Sequence, residues 1–177
     1  GLLSGIIVNK VGISPIVTAY YGVNPEHRQK MYLEALQILR QALTSRQLTF
    51  RGEFYDYADV PMELEPFQKP HPPFWSGTGT PEGGEAAGRN GFNVVANTLT
   101  PDVRKITDRY RAAFKATHAP LIGLSRFVIM GETDDEALTI ARLAYPLWHR
   151  HFHHLFRQHG TIPAGGDRPP HFDQIKD

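Results

Sequence analysis

The segment Phe74-Trp75-Ser76-Gly77-Thr78-Gly79-Thr80-Pro81-Glu82-Gly83-Gly84 holds the residues best suited to chemistry in this 177-residue chain. An apolar run ends and a glycine and threonine loop follows. Thr80-Pro81-Glu82 then opens a helix with a capping hydroxyl, a proline at the first helical position and an acid at the positive end of the dipole. Free N–H groups at a helix N-terminus, with hydroxyls alongside and no side-chain bulk, suit an anion such as phosphate. Gly83 and Gly84 leave the backbone bare, so a phosphate oxygen can come close. The pattern is neither a P-loop nor a dinucleotide fingerprint, because Gly-Lys-Ser/Thr is missing and the glycine spacing differs. On residue types alone the same residues more readily make a plain turn whose threonine caps its helix, and Glu82 brings a negative charge beside any anion.

Other candidates are fewer. His149 and His153 stand four apart, the helical spacing that lets two imidazoles share a metal ion. No third ligand accompanies them, and the other reading is an amphipathic helix end with partly exposed rings. Asn97 ends an apolar run and can face a ligand there. Arg126 either faces a ligand or pairs inside the fold. No serine–histidine–acid or paired-carboxylate pattern emerges. The aromatics Tyr20, Tyr21, Phe50, Phe54, Tyr55 and Tyr57 are expected to fill core gaps.

Composition closes off several classes of function. There is no cysteine, which excludes disulfides, thiolate metal sites and cysteine nucleophiles. Nineteen basic residues against eighteen acidic leave a net charge of +1, which gives no support to nucleic-acid binding. No apolar run approaches the ~18 residues of a membrane-spanning helix. Hydrophobic residues at 41% and charged residues at 21% are those of a globular domain. The chain starts at Gly1 with no basic leader, so no signal peptide is expected, and it reads as a segment cut at both ends.

The elements that position these residues follow from local signals. Asn24-Pro25-Glu26, Thr80-Pro81-Glu82 and Thr100-Pro101-Asp102 repeat one helix-start device, and Thr133 to Glu136 is a capping box. Helical apolar spacing follows each of Asn24, Thr100 and Thr133, and Asn90-Gly91 ends the short helix after Thr80. Short apolar runs at Ile6–Val8, Phe74–Trp75, Asn93–Ala96 and Leu124–Met130 read as buried parallel strands. The alternation predicts four βα units. That is about half of an eight-unit barrel, or a small open doubly wound sheet. Residues 48–73 break the pattern as a hairpin and a proline-rich lead-in, and Pro146 should kink its helix. Residues 161–177 read as an irregular C-terminal segment.

Taken in order, four segments resemble the luciferase-like flavin monooxygenases. They are Ser14 to Arg28, Glu34 to Leu39, Phe50 to Tyr55 and Pro66-Phe67-Gln68-Lys69-Pro70-His71-Pro72-Pro73-Phe74-Trp75. Thr80-Pro81-Glu82, Glu85-Ala86-Ala87 and Asn90-Gly91 are similar to that family's strand–loop–helix for the flavin phosphate. The resemblance implies an α/β fold, a partial (β/α)8 TIM barrel carrying about strands 4–7 over residues 1–160. It implies reduced FMN reacting with oxygen to oxidise a small organic substrate, or, as in some branches of the family, a deazaflavin-dependent oxidoreductase. Ser76, Thr78, Thr80, Gly83 and Gly84 would hold the phosphate. A flavin reductase or other supply of reduced flavin, a cytoplasmic setting, homo-oligomers, and neither nucleic acid nor membrane as partner are the matching expectations. A non-catalytic flavin-binding or interaction module is the alternative. Gly83 stands where relatives often carry serine, and Ile6 to Gly12 lacks the family's arginine.

Overall fold

The computed structural model describes residues 7–9, 15–162 and 167–175. The expectations placed on Leu3 to Ile6 and Lys10 to Ser14 lie outside these residues. The chain divides into two compact units, Gly1–Ser76 and Gly77–Asp177.

In the first unit, strand β1 (Ile7–Asn9) is followed by helices α1 (Pro15–Tyr20) and α2 (Arg28–Thr44). Asn24 Oδ1 accepts the Glu26 N–H at 3.0 Å, but the turn it caps runs on to His27 before α2 begins. Strands β2 (Gln47–Arg51) and β3 (Asp56–Pro61) form their own antiparallel pair. Residues 48–73 therefore add no strand to the parallel set, as their prolines require. A bulge sits between Leu48 and Phe50, and Asp59 opposite it has φ 55°. The Asp59 carboxylate accepts from Thr49 Oγ1 at 3.0 Å, and Thr49 Oγ1 accepts the Asp59 N–H at 3.1 Å. Such local bonding lets an aspartate hold the left-handed conformation. Leu36 of α2, Leu48 of β2 and Phe74 are buried. Tyr20, Tyr21 and Tyr57 stay exposed, against the expectation that they fill the core.

Glu34 holds the tip of this hairpin. Its carboxylate accepts the N–H groups of Glu53, Phe54 and Tyr55 at 2.7, 3.0 and 3.2 Å. A side chain at Gly52 would strike that carboxylate, its Cβ lying 2.3 Å from Oε2. Desolvation pushes the Glu34 carboxyl up, but the three amide bonds, with Lys30 nearby, outweigh it and leave its pKa below the usual value.

Strand β4 (Phe74–Thr78) carries the chain from the first unit into the second. Its start pairs in parallel with β1, Ile7 opposite Phe74 and Asn9 opposite Ser76. The second unit continues with α3 (Pro81–Arg89), β5 (Asn93–Ala96), α4 (Thr100–Ala113), β6 (Ile122–Leu124), α5 (Asp134–Phe152), α6 (His154–Gln158) and a short 3-10 turn at Phe172–Gln174. Strand β5 pairs in parallel with β6, Val94 opposite Ile122. The strand–helix alternation is the expected one, and the sheet is open. Val94, Ala96, Ile106 and Tyr110 form the centre of the unit's core. Burial pushes the Tyr110 phenol up to about 12.

The expected strand at Leu124–Met130 is shorter and starts earlier. Its last ladder bond runs from the Ser125 N–H to Ala96 O, where the four-residue β5 ends. Beyond that point it has no backbone left to pair with, and Val128 and Met130 are 80% and 82% exposed. Thr100 differs too: it lies inside α4, whose N-cap is Leu99. Helix α5 runs on through Pro146.

Replacing Glu34 by Gln leaves one side-chain acceptor for three amides. Hydrogen exchange should show lower protection at Glu53, Phe54 and Tyr55 in Glu34→Gln, with α4 unchanged. A lowered carboxylate pKa stabilises the fold above the unfolded pKa and stops doing so as pH falls through the folded one. The wild-type hairpin should therefore lose this protection only below the usual glutamate pKa.

Candidate functional site at the end of strand four

The turn from β4 into α3 is built by two threonines. Thr78 is 7% exposed, and its hydroxyl donates to Thr80 O and accepts the Thr80 N–H, both at 3.1 Å. Thr80 is extended at φ −133°, caps α3, and accepts the Gly83 N–H on Oγ1 at 3.2 Å. Pro81 follows at the first helical position, and Gly91 with φ 66° lies just past the helix end. The helix start and stop are those read from the sequence.

The structure brings Thr78, Thr80 and Gly83 together. Their roles differ from a bare cradle. A Cβ on Gly83 would sit 2.0 Å from Thr78 Oγ1, so this glycine makes room for the buried hydroxyl. A Cβ on Gly84 would sit 2.7 Å from Ile106 O, so that glycine lets α3 lie against α4. The Gly84 N–H donates to Thr80 O at 3.1 Å. Ser76 lies two residues earlier on β4, in the first unit. Thr80 is thus the exposed hydroxyl at this helix start, and Thr78 is the group that shapes the turn beneath it.

The neighbouring loop closes on the turn through Asn97. Its N–H donates to Thr78 O at 3.1 Å, and a Cβ on Gly79 would lie 3.3 Å from Asn97 Oδ1. Asn97 is exposed at the C-terminal end of β5, where the sequence placed it. Glu82, the acid that weighed against an anion, is paired with Arg109 of α4 at 2.5 Å. Arg126 is exposed and donates to Ser125 O at 2.9 Å and Thr100 Oγ1 at 3.2 Å.

The two histidines do other work. His149 and His153 are 6% and 2% exposed, and their ring centroids are 4.0 Å apart. His149 donates from Nε2 to Arg168 O at 2.8 Å, and His153 donates from Nδ1 to His149 O at 2.9 Å. Both rings therefore bind backbone carbonyls inside the unit. Among the described residues no group of three or more histidine, aspartate or glutamate side chains could hold a metal ion. No helix among them is long and apolar enough to cross a membrane.

The sequence profile of the luciferase-like monooxygenases matches residues 7–177. The uncharacterized protein y4wF of Sinorhizobium fredii is 34% identical over 167 residues, covering 92% of this chain and 48% of that protein. An FMNH2-dependent dimethylsulfone monooxygenase of Pseudomonas putida is 26% identical over 117 residues, covering 65% of this chain and 32% of the relative. In fold, the chain is similar to the oxygenating constituent of 3,6-diketocamphane monooxygenase from Pseudomonas putida in complex with FMN. That likeness has a TM-score of 0.61 and 21% identity, and covers 88% of this chain and 52% of the other. An F420-dependent secondary alcohol dehydrogenase, in complex with an F420-acetone adduct, gives a TM-score of 0.58 at 19% identity, over 79% of this chain and 44% of that one. The chain thus spans about half the length, or less, of the relatives it matches.

Thr78→Val keeps the shape of the side chain and removes the hydroxyl that binds both backbone groups of Thr80. Thermal or denaturant unfolding should show a loss of about 1–3 kcal/mol, the cost of unsatisfied buried polar groups. The amide signals of Gly79, Thr80 and Gly83 should move with it.

Proposed function

Because the chain belongs to the luciferase-like monooxygenase family, we propose that it carries the phosphate-holding part of a flavin-dependent monooxygenase. The observation that carries the reading is the Thr78–Thr80 turn, a strand end opening into a capped helix N-terminus, within a segment matched to the family along its length. FMN is the coenzyme proposed first, since the P. putida relative is FMNH2-dependent and the diketocamphane enzyme is bound to FMN. A deazaflavin is the second reading, supported by the F420-dependent dehydrogenase of similar fold.

The residues present fit a phosphate. Thr80 offers an exposed hydroxyl, and turning it outward frees the Gly83 N–H toward the same point. The Asn97 side chain borders Gly79, and the Glu82 charge is already met by Arg109. Gly84 contributes through packing, its N–H being held by Thr80 O. Reduced flavin, when bound, would supply two electrons to dioxygen, so that one oxygen atom enters an organic substrate and the other leaves as water. This chain's part is to anchor the phosphate end and so orient what is attached to it. Anchoring by a few bonds of roughly 0.5–1.5 kcal/mol each gives weak affinity. We propose that substrate-dependent turnover belongs to a more complete barrel that shields the ring from water.

Absorbance and fluorescence titration of the 177-residue chain with FMN should show weak, saturable binding. Oxygen uptake with reduced FMN and candidate aldehydes or alkanes should show no dependence on substrate. Absence of any FMN response would overturn the flavin reading. Substrate-dependent uptake by a monodisperse monomer would overturn the assignment of turnover to a larger barrel.

A further inference from the structure

We infer that Arg168 is the charge-compensating residue of the phosphate site, carried to the strand ends by the C-terminal segment. The inference rests on the flavin reading above and names a residue outside the strand–turn–helix segment.

A phosphate ester carries a charge of about −1.5 to −2 near neutral pH. The segment Ser76 to Gly84 contains no basic residue and one acid, Glu82. Pairing with Arg109 removes the repulsion from Glu82 but supplies no attraction. A cation must come from elsewhere in the unit.

Arg168 reaches this place. Its Nη2 donates to Asn97 O at 3.2 Å. Asn97 is the residue whose N–H binds Thr78 O and whose side chain borders Gly79. One residue therefore separates the guanidinium from the turn. Arg89, Arg104, Arg109, Arg111 and Arg142 of the same unit each meet a carboxylate, and Arg126 donates to oxygens of Ser125 and Thr100, not to Asn97. Arg168 makes no such ion pair among the described residues, and the hydrogen-bond partner of its side chain is a neutral carbonyl. A guanidinium left uncompensated at a strand end, with donors beyond the one in use, is suited to a phosphate oxygen.

The position of Arg168 is fixed by design of the chain rather than left to a free loop. Three residues along α5 hold the segment. Arg142 pairs with Asp173 at 3.0 Å, Tyr145 OH donates to Pro169 O at 2.9 Å, and His149 Nε2 donates to Arg168 O at 2.8 Å. The spacing of 142, 145 and 149 places them along one helix face. His149 is itself buried and packed on His153. The carbonyl of Arg168 is thus tied down by a buried ring, which orders the backbone before any ligand arrives and lowers the entropy cost of binding.

The test compares FMN with riboflavin, which lacks the phosphate, on the full 177-residue chain. The variants are Arg168→Gln, Arg168→Lys and, as a charge-matched control at the far end of α3, Arg89→Gln. Wild type and Arg89→Gln should bind FMN more tightly than riboflavin. Arg168→Gln should lose about tenfold in FMN affinity at low salt, with riboflavin unchanged and Arg168→Lys between. Inorganic phosphate, titrated while the Arg168 Nε–H and the Gly79 and Thr80 amides are followed by NMR, should shift all three signals. An FMN-to-riboflavin ratio that Arg168→Gln leaves intact would overturn the inference, as would phosphate that leaves the Arg168 signal unmoved. Phosphate shifts at these signals without binding of either flavin would instead overturn the flavin reading and uphold Arg168 as an anion-binding residue. If Arg168→Gln fails to fold, Arg168→Lys and the wild-type NMR titration decide.

Discussion

The contact of α3 with α4 is the constraint on which the second unit depends. Carbonyl oxygens of Ile106 and Tyr110 lie where side chains at Gly84 and Gly88 would begin, 2.7 and 2.5 Å from the ideal Cβ positions. Only glycine admits so close an approach without displacing backbone. The approach brings Glu82 and Glu85 of α3 within reach of Arg109 on α4. It also fixes where the N-terminus of α3 stands, and hence where Thr80 presents its hydroxyl.

From that constraint the site follows in short steps. Thr78 turns the chain by binding both backbone groups of Thr80, and Gly83 is bare so that the Thr78 hydroxyl has room. Asn97 links the next strand end to the turn, and Arg168 links the C-terminal segment to Asn97. The electrostatics are divided in the same way. The acid at the helix start is compensated from α4, and the Arg168 guanidinium meets no carboxylate among the described residues. A neutral turn beside an uncompensated cation is an arrangement that favours an oxyanion.

Much of this was legible in the sequence because it is local. Thr80 and Thr133 cap the helices they were expected to cap, since an N-cap bond spans only three residues. Gly91 ends α3 for an equally local reason, its positive φ. The strand–helix alternation was legible through short apolar runs. Two local signals missed by a residue or more, Thr100 lying inside α4 and Asn24 capping a turn short of α2; the other failures depend on distant partners. The run from Leu124 to Met130 is apolar enough for a strand, but a strand ends where its neighbour ends, and β5 stops at Ala96. The reason for glycine at 83 and 84 lies in Thr78 and Ile106, which no local pattern reveals. The histidines were expected at a partly exposed helix end, with a shared metal as the other reading, whereas both rings are buried and His149 reaches Arg168, nineteen residues on. Arg168 itself sits in an aperiodic segment and meets a carbonyl 71 residues earlier. Its charge was visible in the sequence, but its destination was not.

On the reading proposed above, the ends of β4 and β5 form the phosphate site of a flavin. An amide chemical-shift map of the labelled 177-residue chain, titrated with FMN, tests it most directly. The largest shifts should fall on Gly79, Thr80, Gly83 and Asn97, with the hairpin at residues 47–61 silent. Shifts centred on the hairpin, or none at the turn while FMN binds, would contradict it.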